Sequence, residues 1–127
     1  MKSNLSLFIN FSNHPVSSWD EAQTAAALAL GEELVDMPFP TIDPEWDEAR
    51  ISDLVEEYVH RIVDAGRGYA SVTVHLMGEF TFCYALVHRL SAVGIRCVAS
   101  CTRREVHSTD QGLVHAFHFV QFRAYRS

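Results

Sequence analysis

Residues 43–80 read DPEWDEARISDLVEEYVHRIVDAGRGYASVTVHLMGEF, and this stretch decides the fold. Ile51, Leu54, Val55, Tyr58, Val59, Ile62 and Val63 recur at spacings of three and four, the one-sided apolar stripe of an amphipathic helix. Asp43-Pro44 offers an N-cap followed by proline at the first helical position. Gly66 and Gly68 end the run. Ala70 to Leu76 is rich in β-branched residues and reads as a strand. Met77-Gly78-Glu79 then turns the chain into a further helix, Phe80 to Val93, stopped by Gly94. A helix, a buried strand and a second helix in close succession are the signature of an alternating α/β protein.

The same alternation extends in both directions. Upstream, the apolar run around Leu5 to Ile9 reads as a buried strand, followed by the turn formers Asn10 and Ser12-Asn13-His14-Pro15. Ser18 and Glu21 have the spacing of a capping box at the start of an alanine-rich helix, which Gly31 would close at C′. Glu33 to Asp36 is a short strand, and Met37-Pro38-Phe39-Pro40 must be extended. Downstream, Ile95 to Cys101 reads as a fourth strand, Thr102 to Gly112 as a polar loop, and Leu113 to Tyr125 as a final strand or pair of strands. The expected fold is one α/β domain over residues 1–127, Rossmann-like, with a mainly parallel sheet, helices on both faces and an antiparallel C-terminal strand.

Composition narrows the class. With 127 residues, 48% hydrophobic and 20% charged, the chain suits a single packed core rather than a disordered segment. No apolar run approaches the roughly 18 residues needed to cross a bilayer, so no membrane partner is expected. Met1 to Asn10 makes a poor signal peptide and a good first strand, and the expectation is a cytoplasmic protein. Cys83, Cys97 and Cys101 have no Cys-x-x-Cys spacing and read as buried free thiols. The net charge of −6 hides an asymmetry: residues 1–66 carry 3 basic and 13 acidic side chains, residues 67–127 carry 7 basic and 3 acidic. An acidic first half disfavours long nucleic acid, while the basic second half suits a small anionic ligand.

In open parallel sheets ligands bind outside the carboxyl ends of the strands, which here gather four loops. The first offers Asn10, Ser12, Asn13 and His14, the last a group able to move a proton near neutral pH. The third, Gly78-Glu79-Phe80-Thr81, opens a helix whose free amides favour an anion and whose glycine allows close approach. It has neither a G-x-G-x-x-G nor a G-K-[ST] pattern. The fourth, Ser100-Cys101-Thr102-Arg103-Arg104, pairs hydroxyls with two guanidinium groups suited to phosphate. Arg123 lies on the last strand, sharing a face with Tyr125. The histidines do not form a metal-ligand set, and neither a Ser-His-Asp nor a Cys-His arrangement is legible.

The segments Asn10-Phe11-Ser12-Asn13-His14-Pro15, Gly78-Glu79-Phe80, Ala99-Ser100-Cys101-Thr102-Arg103 and Phe122-Arg123-Ala124-Tyr125 follow one another as in a known group. By them the chain resembles the small stand-alone CARF-like CRISPR-associated proteins of the ring nuclease type. The resemblance covers Leu5 to Tyr125. It implies a Rossmann-like homodimer that binds a cyclic oligoadenylate, such as the tetra- or hexa-adenylate, across its two-fold axis. It also implies metal-independent cleavage, in which the ring's 2′-hydroxyl attacks the adjacent phosphate, and no cofactor. On that basis His14, Arg103 and Ser12 are the expected catalytic residues. Asn10, Asn13, Gly78, Glu79, Phe80, Thr81, Ser100, Thr102, Arg104 and Arg123 are the expected ligand-binding ones. Met77 departs from the glutamine that often precedes the Gly-acid-Phe turn, and Asn13 is an extra residue before the histidine. Both departures bear on cleavage more than on binding. The alternatives are a non-catalytic sensor or sponge for the same messenger, or an unrelated Rossmann-type enzyme of mononucleotides or sugar phosphates.

Overall fold

The structure is a computed structural model that describes residues 4–126. Five strands form one sheet: β1 (Ser6–Phe11), β2 (Glu33–Asp36), β3 (Ser71–Leu76), β4 (Arg96–Thr109) and β5 (Gly112–Ala124). Their spatial order is β2-β1-β3-β4-β5. Four strands run parallel and β5 returns antiparallel to β4. Three α-helices make the crossovers: α1 (Glu21–Leu30), α2 (Glu48–Ala65) and α3 (Phe80–Ala92). The Rossmann-like α/β expectation is met, with helices on both faces.

β1 lies inside the sheet, covered from both sides, which is why its residues from Leu7 to Phe11 are all buried and read as a continuous apolar run. The chain leaves β1 for β2 on one side and then returns to β3 on the other. The polarity of winding therefore reverses between β1 and β3, and a crevice opens at their carboxyl ends.

The α2 stripe packs as its periodicity implies. Leu54, Val55, Tyr58, Val59 and Ile62 are buried against α3 and the odd-numbered side chains of β1. Val63, at the edge of the stripe, is 38% exposed. Arg89 of α3 donates two hydrogen bonds to Glu56 of α2, at 2.7 and 2.8 Å, locking the two helices together at their surface. On the opposite face α1 covers a smaller cluster centred on Phe8, Ala27 and Val98.

Three local expectations are corrected. Ser18 does not cap α1: it ends a 3₁₀ turn, Val16–Ser18, and Asp20 accepts the Gln23 amide hydrogen instead. Asp43 does not cap α2 either, because Asp47 accepts from the Arg50 amide. Asp43 organises the preceding turn by accepting from the Glu45 amide. Gly31 is extended, with φ −153°, so it is not a left-handed C′ residue. Glycine is needed there because a Cβ would lie 2.7 Å from the Phe8 backbone nitrogen.

The largest correction concerns residues 102–112. They are not a polar loop: β4 continues to Thr109, pairs with β5 throughout, and turns at Asp110–Gln111. From Thr102 onward the two strands form an arm roughly 25 Å long at ordinary strand rise. Ladder hydrogen bonds hold it without a core beneath, so its side chains need no apolar alternation. A register shift between Cys101 and Thr102 marks where the arm leaves the sheet.

No helix among the described residues is long and apolar enough to cross a membrane. Cys83 and Cys97 are buried free thiols, pushed up to about 12 chiefly by burial, and Cys101 is half-buried.

Candidate functional site

At the carboxyl ends of the parallel strands a polar row crosses the α1 face of the sheet. It runs from Asp36 on β2 through Asn10 on β1 and His75 on β3 to Ser100 on β4. Pairing register builds the row: Asn10 is opposite Asp36 on one side and His75 on the other. His75 is opposite Val98, and Ser100 follows two residues on, facing the same way.

The hydrogen bonds of the row fix one another. The Asn10 amide nitrogen donates to Asp36 Oδ1 and to the His14 carbonyl, both at 2.8 Å. Its Oδ1 must therefore be the acceptor, and it receives the Ser12 hydroxyl at 2.8 Å and His75 Nδ1 at 2.9 Å. With Nδ1 carrying the proton of a neutral ring, Nε2 presents its lone pair to the Ser100 hydroxyl, 3.3 Å away. The imidazole is 3% exposed and lies between the edges and faces of Trp19 and Phe122, with centroids at 5.5 and 5.3 Å. Burial holds its proton affinity down to about 4, with the nearby His14 adding to the effect.

Above this row opens a cleft of about 700 Å³. Its walls include Trp19, Phe117 and Phe119, and its floor and rim include His14, His75, Ser100 and Thr102. Aromatic walls with a few convergent polar groups are the usual make-up of a ligand site.

The expected site residues divide into several groups. Ser12, Asn13, His14, Gly78, Ser100 and Thr102 come together at the cleft. Asn10 is 1% exposed and serves beneath it, and with Ser12 it ties down the His14 backbone. Gly78 also has a packing reason, since a Cβ there would run into the Phe39 ring.

Glu79 is the N-cap of α3, accepting from the Phe82 amide at 2.8 Å and from the Thr81 hydroxyl. Those bonds, with Thr81 first, hold its carboxyl below the usual range. The carboxylate itself thus occupies the helix end that the sequence offered to an anion, and Thr81 is engaged with it. Phe80 is 89% exposed and, with Tyr84, borders a different cavity beside Tyr125.

The arginines separate as well. Arg104 pairs with Phe117 across the arm, shares the cleft's face, and reaches His115 Nδ1 at 2.8 Å. Arg103, one residue out of phase, faces the other way opposite His118. Arg123 pairs with Ala99 and also lies on the reverse face. Among the described residues no group of three or more His, Cys, Asp or Glu is placed to hold a metal ion.

Sequence reasoning missed His75 and the aromatic walls. His75 sits within the apolar run Val74-His75-Leu76, and its significance depends on being level with Asn10 and Ser100, a relation set by strand pairing.

Fold and cleft define a Rossmann-like α/β protein with an aromatic-walled cleft at the β1/β3 switch point. Residues 6–123 match the family described as the uncharacterized protein MJ1673 family, and the chain belongs to it. No curated protein matches the chain. No solved structure matches it either.

Proposed function

We propose that the chain binds a cyclic oligoadenylate, such as the tetra- or hexa-adenylate, across the two-fold axis of a homodimer and cleaves it without metal. It would thus act in the cytoplasm as a ring nuclease of the CRISPR-associated type. The observation that carries this reading is the cleft at the carboxyl ends of β1 and β3 and beside the middle of β4, where aromatic walls meet His14, Ser100 and Thr102. Trp19, Phe117 and Phe119 offer stacking surfaces for bases, a contact worth about 1–3 kcal/mol per base. Arg104, on the cleft's face of the arm, meets phosphate charge. Cleavage needs no activated protein nucleophile: the ring's 2′-hydroxyl attacks the neighbouring phosphorus, and His14 gives a proton to the departing 5′-oxygen.

A second copy is supported by the arm, which exposes Val106, Leu113, Val114 and Phe117 with no core of its own to cover them. Arg103 and Arg123 serve the ring in this scheme if the partner protomer brings that reverse face to it.

The test is incubation of purified protein with cyclic tetra- and hexa-adenylate in a chelator-containing buffer, followed by chromatography and calorimetry. Linear products ending in a 2′,3′-cyclic phosphate are expected. Binding without products makes the chain a sensor or sponge. A protein that shows no binding and no cleavage overturns the reading.

A further inference from the structure

The proposed reaction needs a group to receive the 2′-hydroxyl proton, and His14 is already assigned to the opposite task of giving one. We propose that Ser100 and His75 are that receiving arm: Ser100 takes the proton of the attacking hydroxyl while passing its own to His75 Nε2. This rests on the functional reading above and names a catalytic hydroxyl and a base behind it.

The geometry supports each transfer. Ser100 Oγ borders the cleft and lies 3.3 Å from His75 Nε2. Met77 Sδ is 3.0 Å from the same oxygen, but a thioether is a weak acceptor and does not compete well with an imidazole lone pair. The orientation of His75 is over-determined: Asn10 Oδ1 holds Nδ1–H, and Asn10 is itself held by Asp36 and the His14 carbonyl. A proton on Nε2 instead would set the bare Nδ1 lone pair against the buried Asn10 oxygen and leave that oxygen with the Ser12 hydroxyl as its remaining donor. This is the arrangement of hydroxyl, imidazole and orienting group found where a buried base activates an alcohol.

The step balances without an added reagent. The 2′-oxygen forms its bond to phosphorus as its proton passes to Ser100, and the Ser100 proton passes to His75. The bond from phosphorus to the 5′-oxygen breaks, and that oxygen takes a proton from His14. The products are a 2′,3′-cyclic phosphate and a free 5′-hydroxyl. His75 ends protonated and His14 neutral, and exchange with solvent restores both. Two histidines on one cleft, one buried and one exposed, suit this division into base and acid. The other titratable groups at the cleft with His75 are His14 and Asp20, Asp36 is reached through Asn10, and Arg104 lies on the cleft's face further along the arm.

The experiment measures cleavage and binding of cyclic tetra-adenylate by wild type, Ser100→Ala and Ser100→Thr across pH 4–8. Ser100→Ala should lose about a hundredfold in kcat with Kd unchanged, and Ser100→Thr, which keeps the hydroxyl, should recover most of it. The acid limb of the wild-type profile should fall with His75 protonation, near its value of about 4. Nitrogen NMR should show the His75 proton on Nδ1. An alanine variant that cuts as fast as wild type, or a proton found on Nε2, overturns the relay while the functional reading stands. A wild type that binds the ring without cutting it also overturns the relay and leaves binding intact. One that does neither overturns both.

Discussion

The two faces of the sheet are built on opposite principles. Under α2 and α3 the core is apolar: Phe11 stacks on Tyr58 at 5.0 Å and meets Phe39 and Phe82 at 5.1 and 6.1 Å. Under α1 the fully packed cluster is only Phe8, Ala27 and Val98. All the polar side chains buried among the described residues, Asn10, Ser12, Thr73 and His75, lie on that second face. One short, alanine-rich helix covers the amino half of the strands there and leaves the carboxyl half to a hydrogen-bonded row and an open cleft. Such a row is tolerable because every member has a partner, and among the described residues no buried side-chain polar atom lacks one. The face with two helices supplies the apolar core, which lets the other keep a row of buried polar groups in place.

This contrast can be broken most forcefully on the apolar side. Phe82 is fully buried and contacts Phe11, Phe39 and Tyr58. Phe82→Ala should cost about 3–5 kcal/mol in urea unfolding through lost burial and the cavity left behind. A loss under 1 kcal/mol would mean that this face does not carry the fold. On the polar side the corresponding effect is pH-dependent. His75 takes up a proton near 4 when folded, against an ordinary 6.5, so the unfolded chain protonates first as the pH falls. Its share of stability is therefore whole above pH 6.5 and drains between 6.5 and 4, by about 3 kcal/mol at most. Unfolding curves at pH 7 and 4 for wild type and His75→Gln check this, because the variant should flatten the difference. Equal slopes would show that His75 is solvated.

The same contrast explains what was legible in the sequence. The apolar face writes itself as periodicity: the α2 stripe and the run from Leu7 to Phe11 can be read without knowing what they pack against. The polar face is composed across strands, and register is not written locally. Asn10, Ser12 and His14 were visible because they lie where β1 ends, and Ser100 because the sequence reads as ending a strand there, whereas His75 became part of the site only through its level with Asn10. Arg103 and Arg104 looked equivalent as loop residues and are separated because the segment is a strand, which sends neighbours to opposite faces. The start of α3 looked like a site for an anion because its free amides attract one, and the chain supplies that anion itself as Glu79.

Smaller effects sharpen the comparison at the seams. Where α1 hands over to β2, Gly31 sits against the backbone of β1. Gly31→Ala would push Cβ to 2.7 Å from Phe8 N and 2.9 Å from Leu7 C, both main-chain atoms that cannot swing aside. A loss of about 1–3 kcal/mol is expected. At Gly94, after α3, the cause differs: φ is +80° and nothing lies within 4 Å of an added Cβ. There the cost is conformational, about 1 kcal/mol, and Gly94→Asn should recover part of it, which no polar replacement at Gly31 would do. Chemical denaturation of Gly31→Ala, Gly94→Ala and Gly94→Asn separates crowding from backbone strain.

The smallest effect decides where α1 begins and so how much of the sheet it leaves open. Asp20 accepts the Gln23 amide hydrogen at 2.8 Å, while Ser18 turns its hydroxyl back to the Pro15 carbonyl at 2.7 Å, on the surface. Asp20→Ala removes the side-chain cap of α1 and should cost about 1 kcal/mol. Ser18→Ala removes an exposed bond that water replaces, and should stay within about 0.5 kcal/mol. The reverse order would start the helix earlier, over Trp19, and would bring α1 across the mouth of the cleft that Trp19 now borders.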